Sequence, residues 1–245
     1  MTNPMDVLGR DMIEQRVSGF DWLQAAADLD ARGYTILNGL LSPRECERLI
    51  ELYDQDELFR SRVVMQRHGF GRGEYKYFEY PLVPLISGLR TALYPHLAPV
   101  ANSWNQALRV GVRYPLALAD FLAICHAAGQ PRPTPLLLRY GQDDYNCLHQ
   151  DVYGEHIFPL QATVLLSRPR HDFKGGEFVL TEQRPRTQSR VEVVHLDQGD
   201  AVIFAVRHRP VSGKRGFYRV TMRHGISRIH SGNRYAMGII FHDSL

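Results

Sequence analysis

The chain has 245 residues, 44% of them hydrophobic and 22% charged, which suits one large folded domain or at most two small ones. No apolar run approaches the ~18 residues of a membrane span, and Asp6, Asp11 and Glu14 within Met1 to Phe20 are foreign to a signal peptide. Cys46, Cys125 and Cys147 lie far apart with no CxxC pair, which argues against a disulfide framework or zinc ribbon and predicts a reducing, cytoplasmic setting. The net charge is only +3, yet the layout is uneven: Arg207, Arg209, Lys214, Arg215, Arg219, Arg223, Arg228 and Arg234 fall in a block from Ala201 to His242 that holds no acid. Such a block suggests an anionic ligand or partner.

In chain order, Phe20 to Arg32 has helical spacing and stops at Gly33, after which Tyr34-Thr35-Ile36-Leu37 reads as a short strand. Ser42-Pro43-Arg44-Glu45 is a capping box with proline at the first helical position, starting a helix whose Cys46, Leu49, Ile50 and Tyr53 form one apolar stripe. Residues 63–80 are Gly-rich, basic and aromatic, and read as strand and loop. Helix is expected from Pro84 to Tyr94 and again between about 99 and 128, until Pro131, Pro133 and Pro135 form a boundary.

Beyond that boundary the texture is β. Leu136–Tyr140, Ile157–Leu166, Glu177–Leu180, Val191–Leu196, Ala201–Ala205, Phe217–His224 and Arg234–Phe241 are rich in Val, Ile, Phe and Tyr and are separated by glycine-containing turns. With the early strand this makes about eight, the pattern of a jelly roll. The expected fold is mainly β with flanking helices (α+β) around a double-stranded β-helix core. Residues 1–135 would supply N-terminal helices and first strands packing on the core, residues 136–245 the core itself, as one structural unit.

His149-Gln150-Asp151 places an imidazole and a carboxylate two residues apart on extended chain, able to reach one metal ion. His195-Leu196-Asp197 has the same spacing, and a third ligand decides between them. His224 follows His149 after five strand runs, enough to circle a jelly roll, whereas too few separate it from His195. His230 is set aside because it falls in a turn. Two histidines and one carboxylate on one face leave three positions open, as in non-haem Fe(II) oxygenases and unlike a closed zinc site. The sequence from His224 to Arg234 then reads HxIxxIxxGxR. Arg234 opens a strand on which Ala236, Gly238 and Ile240 share its face, so a guanidinium beside small neighbours can grip the end of a dicarboxylate.

This combination, preceded by Tyr140-Gly141 and with Gly175-Gly176-Glu177 between its halves, resembles the Fe(II)/2-oxoglutarate-dependent oxygenase superfamily over roughly residues 134–242. Tyr34–Tyr53 is similar to the N-terminal part of many members. The whole chain resembles a group of bacterial 2-oxoglutarate oxygenases linked to oxidative demethylation of damaged DNA. The resemblance implies that His149, Asp151 and His224 bind Fe(II), that Arg234 binds the 5-carboxylate of 2-oxoglutarate, and that Tyr140 donates its hydroxyl to the same cosubstrate. With O2 as co-reactant, the implied activity is hydroxylation of a substrate C–H coupled to oxidative decarboxylation of 2-oxoglutarate.

For the substrate, the basic block could meet phosphates, and Tyr75, Tyr77, Phe78 and Tyr80, beside a basic Gly-rich loop, could stack a nucleobase, the alternative being that these aromatics are core and strand residues. Arg228 and Tyr153 lie close enough to the ligands to touch substrate. The alternatives are a peptide, because the HxIxxIxxGxR ending is closer to the prolyl hydroxylase branch and no second arginine follows Arg234 as in the AlkB-type branch, and a non-catalytic jelly-roll binding protein.

Overall fold

A computed structural model describes residues 10–245; residues 1–9, where the stretch read for a signal peptide begins, lie outside the described residues. The elements in chain order are α1 (Arg10–Ser18), α2 (Trp22–Arg32), β1 (Tyr34–Leu37), α3 (Pro43–Glu51), β2 (Phe59–Val64), β3 (Gly71–Arg72), β4 (Glu74–Phe78), α4 (Pro84–Ala107), α5 (Leu118–Ala127), β5 (Leu136–Tyr140), β6 (Tyr145–His149), β7 (Leu160–Leu165), β8 (Phe173–Gly175), β9 (Phe178–Gln183), β10 (Arg190–Val194), β11 (Ala201–Ala205), β12 (His208–Gly213), β13 (Gly216–Ile226), β14 (Ile229–Gly232) and β15 (Arg234–Ile240). None of the helices is long and apolar enough to cross a membrane.

The strands form a seven-stranded sheet in the order β1-β11-β7-β15-β5-β4-β2 and a smaller sheet in the order β10-β9-β13-β6-β3, with β12 paired to β13. The ladders are antiparallel. This is the expected jelly roll. The strands that read as continuous apolar runs are buried on both faces, which is why they lack polar alternation. Along β15, Met237 and Ile239 pack with helix α4 residues such as Leu89 and Leu93 in one core, while Ala236, Gly238 and Ile240 face the space between the sheets. In β11 the split is the same: Ala201, Ile203 and Ala205 belong to the helix-side core, and Val202 and Phe204 to the core between the sheets.

The capping box at Ser42 and Glu45 forms as read, both side chains bonding the opposite backbone N–H. The expected break near Tyr94 does not. Helix α4 runs unbroken through Pro95 and Pro99. The two prolines are four apart, so Pro99 lacks the N–H that would have bonded the carbonyl of Pro95. A buried stripe of Leu85, Leu89, Leu93, Leu97, Ala101 and Trp104 holds the helix against the large sheet. Arg90, also buried, donates from Nε to the Ile240 carbonyl at 2.9 Å and pairs with Asp243 at 2.7 Å, fastening α4 to the end of β15.

Candidate metal centre and its cavity

The small sheet brings the first two histidines together. His224 on β13 pairs in register with His149 at the end of β6, and their ring centroids lie 4.2 Å apart. Asp151 sits two residues beyond the end of β6, in irregular chain rather than on the strand. It still converges: His224 Nε2 is 3.3 Å from Asp151 Oδ2, and His149 Nε2 is 3.6 Å from Oδ1. The donor atoms of these three residues all fall within 4.8 Å of one another, which makes them the group among the described residues able to hold a metal ion. His195 is exposed and lines a separate hollow with Asp197, and His230 is exposed on β14, so neither joins them.

Each donor is prepared by its surroundings. His149 Nδ1 lies 2.7 Å from the Cys147 carbonyl, so the proton sits on Nδ1 and the Nε2 lone pair faces the other two ligands. Burial pushes the Asp151 carboxyl up, but the hydrogen bond from His224, the two neighbouring imidazoles and the hydrogen bond from Tyr153 outweigh it and hold the group well below the usual carboxylate range. The Tyr153 hydroxyl donates to Asp151 Oδ1 at 2.7 Å. Burial lowers the pKa of His224, with His149 acting in the same direction and Asp151 opposing, so the Nε2 proton that bonds Asp151 is readily given up to a metal. Hard carboxylate plus two imidazoles suits a first-row divalent ion with open positions.

The cluster opens on a cavity of ≈ 290 Å³ between the sheets. Its floor is the inward face of β5, β15 and β7, as the Arg234, Ala236, Gly238 and Ile240 alternation predicts. Gly238 makes room there: a Cβ would lie 2.7 Å from Leu136 Cδ2. Arg234 is fully buried, and its Nε and Nη1 have no hydrogen-bond partner. Burial lowers its pKa to about 10, opposed by Tyr140 and Glu177, so it stays charged at neutral pH. A buried, unpaired guanidinium is costly unless an anion meets it. Its cross-strand neighbour Tyr140 accepts from Asn146 Nδ2 at 3.3 Å, which leaves the Tyr140 hydroxyl proton free to donate. The residues present therefore fit a metal ion and a carboxylate-bearing cosubstrate.

Gly176, part of the Gly-Gly-Glu motif, is where the backbone clears the Arg234 side chain. Its φ is +67°, and a Cβ would collide with Ile229 Cδ1 and lie 3.0 Å from Arg234 Cδ.

The aromatics from Tyr75 to Tyr80, in the stretch read as strand and loop, divide three ways: Tyr75 and Tyr77 lie on β4 and line the cavity, Phe78 packs in the helix-side core, and the Tyr80 hydroxyl donates to Asp243 at 2.9 Å. The acid-free basic block is not one face. Arg209 is buried against Glu182 and the Asp30 carbonyl, Arg234 is in the cavity, and exposed Arg228 pairs with Asp143 at 3.7 Å. Asn146, Gln161 and Thr163 also line the cavity and escaped notice. For the last two a signal existed: they are the alternate polar positions in Leu160–Leu165, a run apolar elsewhere.

Residues 73–244 match the model of a family described as an oxygenase catalysing oxidative methylation of damaged DNA. An uncharacterised protein of Mycobacterium tuberculosis is 52% identical over 167 residues, covering 68% of this chain and 72% of its own. Among solved structures, an oxidoreductase of the 2OG-Fe(II) oxygenase family from Burkholderia pseudomallei aligns with TM-score 0.54 at 15% identity, covering 92% of this chain and 94% of its own. A prolyl hydroxylase from Trichoplax adhaerens, solved with a peptide fragment, aligns with TM-score 0.54 at 14% identity over 97% of this chain and 92% of its own; these two likenesses are of fold. With the matched segment spanning the strands that carry the metal cluster and Arg234, the chain belongs to this oxygenase family and is a dioxygenase that uses Fe(II), 2-oxoglutarate and O2.

Proposed function

We propose that the enzyme removes N-methyl groups from alkylated nucleobases in DNA, with His149, Asp151 and His224 holding Fe(II) and Arg234 and Tyr140 holding the far carboxylate of 2-oxoglutarate. The observation that carries this reading is one cavity in which three convergent metal-binding side chains meet a buried, unpaired guanidinium. Bound there, Fe(II), 2-oxoglutarate and O2 supply oxidative decarboxylation of the cosubstrate coupled to insertion of an oxygen atom into a substrate C–H bond.

The chain's own residues prepare that chemistry. His149 presents Nε2 because its Nδ1 proton is spent on the Cys147 carbonyl. Asp151 is kept ionised by His224 and Tyr153. Largely apolar walls, with Tyr75 and Tyr77 on one side, exclude water and offer faces on which an extruded base can stack. A hydroxylated N-methyl carbon then breaks its C–N bond, passes the hydroxyl proton to nitrogen and leaves as formaldehyde, so removal of the methyl group is the outcome.

Two further observations favour nucleic acid. Exposed Arg72 lies on β3, paired to the strand that ends at His149. Exposed Arg223 precedes His224, and the carbonyl of exposed Arg207 lies 3.4 Å from Nε2 of the cavity residue Gln150. These exposed cations neighbour cavity residues along the chain or across a strand pair, and such cations are what phosphates would meet. The three free cysteines support a cytoplasmic placement.

The test incubates the protein with Fe(II), 2-oxoglutarate and a single-stranded oligonucleotide carrying 1-methyladenine. Loss of one CH2 in mass together with formaldehyde release is expected. No change in the oligonucleotide, with hydroxylation of a proline-containing peptide instead, would overturn the substrate assignment and favour a peptidyl hydroxylase.

A further inference from the structure

Gln161 has no part in the chemistry described so far, yet it is a costly polar group in the cavity wall. On β7 it shares the inward face with Thr163, while Ala162 and Val164 pack on the helix side. It is only 4% exposed, and its Oε1 has no hydrogen-bond partner. Its cross-strand neighbours are Ile240 on β15 and Phe204 on β11, whose apolar side chains have nothing to donate. An amide oxygen withdrawn from water and left unpaired destabilises a fold, whereas an apolar side chain of similar size would not. The position therefore carries a group that folding does not use.

Its place in the cavity says which ligand could use it. Ile240, its partner, is six residues beyond Arg234 on the same face of β15, about 20 Å along the strand. Gln161 thus stands toward the opposite end from the guanidinium that fits the cosubstrate carboxylate. The register places Tyr77 beside Leu136, and Leu136 beside Gly238, one alternate position from Ile240. Phe204, next to Gln161, lies 4.5 Å from the His224 ring, centroid to centroid. The cavity consequently has a cationic end at Arg234 and an amide and aromatic end at Gln161 and Tyr77, with the metal cluster reaching the latter through Phe204.

We propose that Gln161 is a specificity-determining residue whose amide oxygen accepts a hydrogen bond from an N–H group of the bound substrate. Resting on the nucleobase reading above, the favoured substrates are bases that carry an exocyclic amine beside the methylated ring nitrogen, as 1-methyladenine does. 3-Methylthymine, which has a carbonyl on each side of that nitrogen, leaves the oxygen unpaired. A site that hydrogen-bonds a donor rejects analogues lacking it more strongly than an apolar wall can.

The experiment compares kcat/KM for 1-methyladenine and 3-methylthymine in the same single-stranded oligonucleotide, in wild type, Gln161→Leu and Gln161→Glu. The ratio should fall about tenfold or more in Gln161→Leu and be retained in Gln161→Glu, which keeps the acceptor. The visible band of the Fe(II)–2-oxoglutarate complex should persist in Gln161→Leu, and its Tm should equal or exceed that of wild type. An unchanged ratio in folded Gln161→Leu overturns the proposal. So does loss of the band, which would assign the amide to the cosubstrate, and so does a lowered Tm, which would make the amide structural. If wild type oxidises neither base, the nucleobase reading fails by itself. The Tm and the band then decide Gln161: both retained keeps it as a substrate contact, and loss of either removes it.

Discussion

Asp151 shows how much of the centre is set by groups one shell away from the metal position. Nearly all of its surface is buried, and an isolated carboxyl there would become neutral; His224 and the Tyr153 hydroxyl hold it ionised. Removing an outer partner of this kind from a metal ligand costs roughly 10–100-fold in metal affinity. Tyr153→Phe should therefore weaken Fe(II) or Co(II) binding by about that factor while leaving the far-UV circular dichroism unchanged. Equal affinity in the two proteins would remove Tyr153 from the centre. The positions of the three candidate ligands and of Arg234 were legible in the sequence because their spacings follow strand alternation and barrel circuits, whereas Tyr140 was reached only through the family resemblance. Asn146 has no spacing partner to mark it, and the alternation of Gln161 with Thr163 marks a polar face without saying what it faces. Tyr153, two residues past Asp151, was suspected only as a substrate contact; its bond to Asp151 depends on the irregular chain after β6, which no periodicity describes.

Among the elements, β15 carries the most function for its length. One face seals the helix-side core with Met237 and Ile239; the other floors the cavity from Arg234 to Ile240. Its entry depends on the neighbouring Gly176 turn, where a φ of +67° strains any side chain and a Cβ would press on the Ile229 side chain and the Arg234 stem. Gly176→Ala should destabilise the fold by about 1–3 kcal/mol and raise the KM for 2-oxoglutarate by displacing the Arg234 stem. Chemical denaturation and cosubstrate titration check the two effects separately, and a melt identical to wild type would show that the turn relaxes freely. Most β runs after residue 135 and the α3 cap were read from local signals, apolar and aromatic runs between glycine turns and Ser-Pro-x-Glu, while β12 with its Pro210 gave no such run. Helix α4 was not so read, because its continuity through Pro95 and Pro99 comes from tertiary packing of its leucine stripe, which outweighs two missing backbone bonds. The short strands β3, β8 and β14 exist only as partners of β6 and of each other, so nothing inside two to four residues could announce them.

In the whole molecule, two sheets enclose the centre, and the helices lie mainly against the large sheet, with α2 and α4 also touching β12 of the small one. That arrangement buries titratable groups whose protonation opposes folding. Burial lowers His242 to about 4, with the charge of Arg90 acting in the same direction. An unfolded histidine titrates near 6.5. Below that value the unfolded chain gains a proton that folded His242 refuses, so stability is complete above about pH 6.5 and is lost as the pH falls toward 4. Asp151, Glu74 and Glu182 have lowered pKa values and act in the same sense at still lower pH. A Tm profile from pH 8 to 4 should be flat above neutrality and decline below about 6.5, with a shallower decline in His242→Gln. A profile that stays flat to pH 4, or an unchanged slope in the variant, would contradict this.

Metal binding through His149, Asp151 and His224 and dicarboxylate binding through Arg234 in one cavity make a joint spectroscopic prediction. Anaerobic titration of Fe(II) and 2-oxoglutarate, followed by the visible charge-transfer band that forms when both occupy one centre, tests it most directly. Wild type should develop the band, His149→Ala should not, and Arg234→Met should require far more 2-oxoglutarate to reach it. Absence of the band in folded wild-type protein, or its persistence in His149→Ala, would contradict the account.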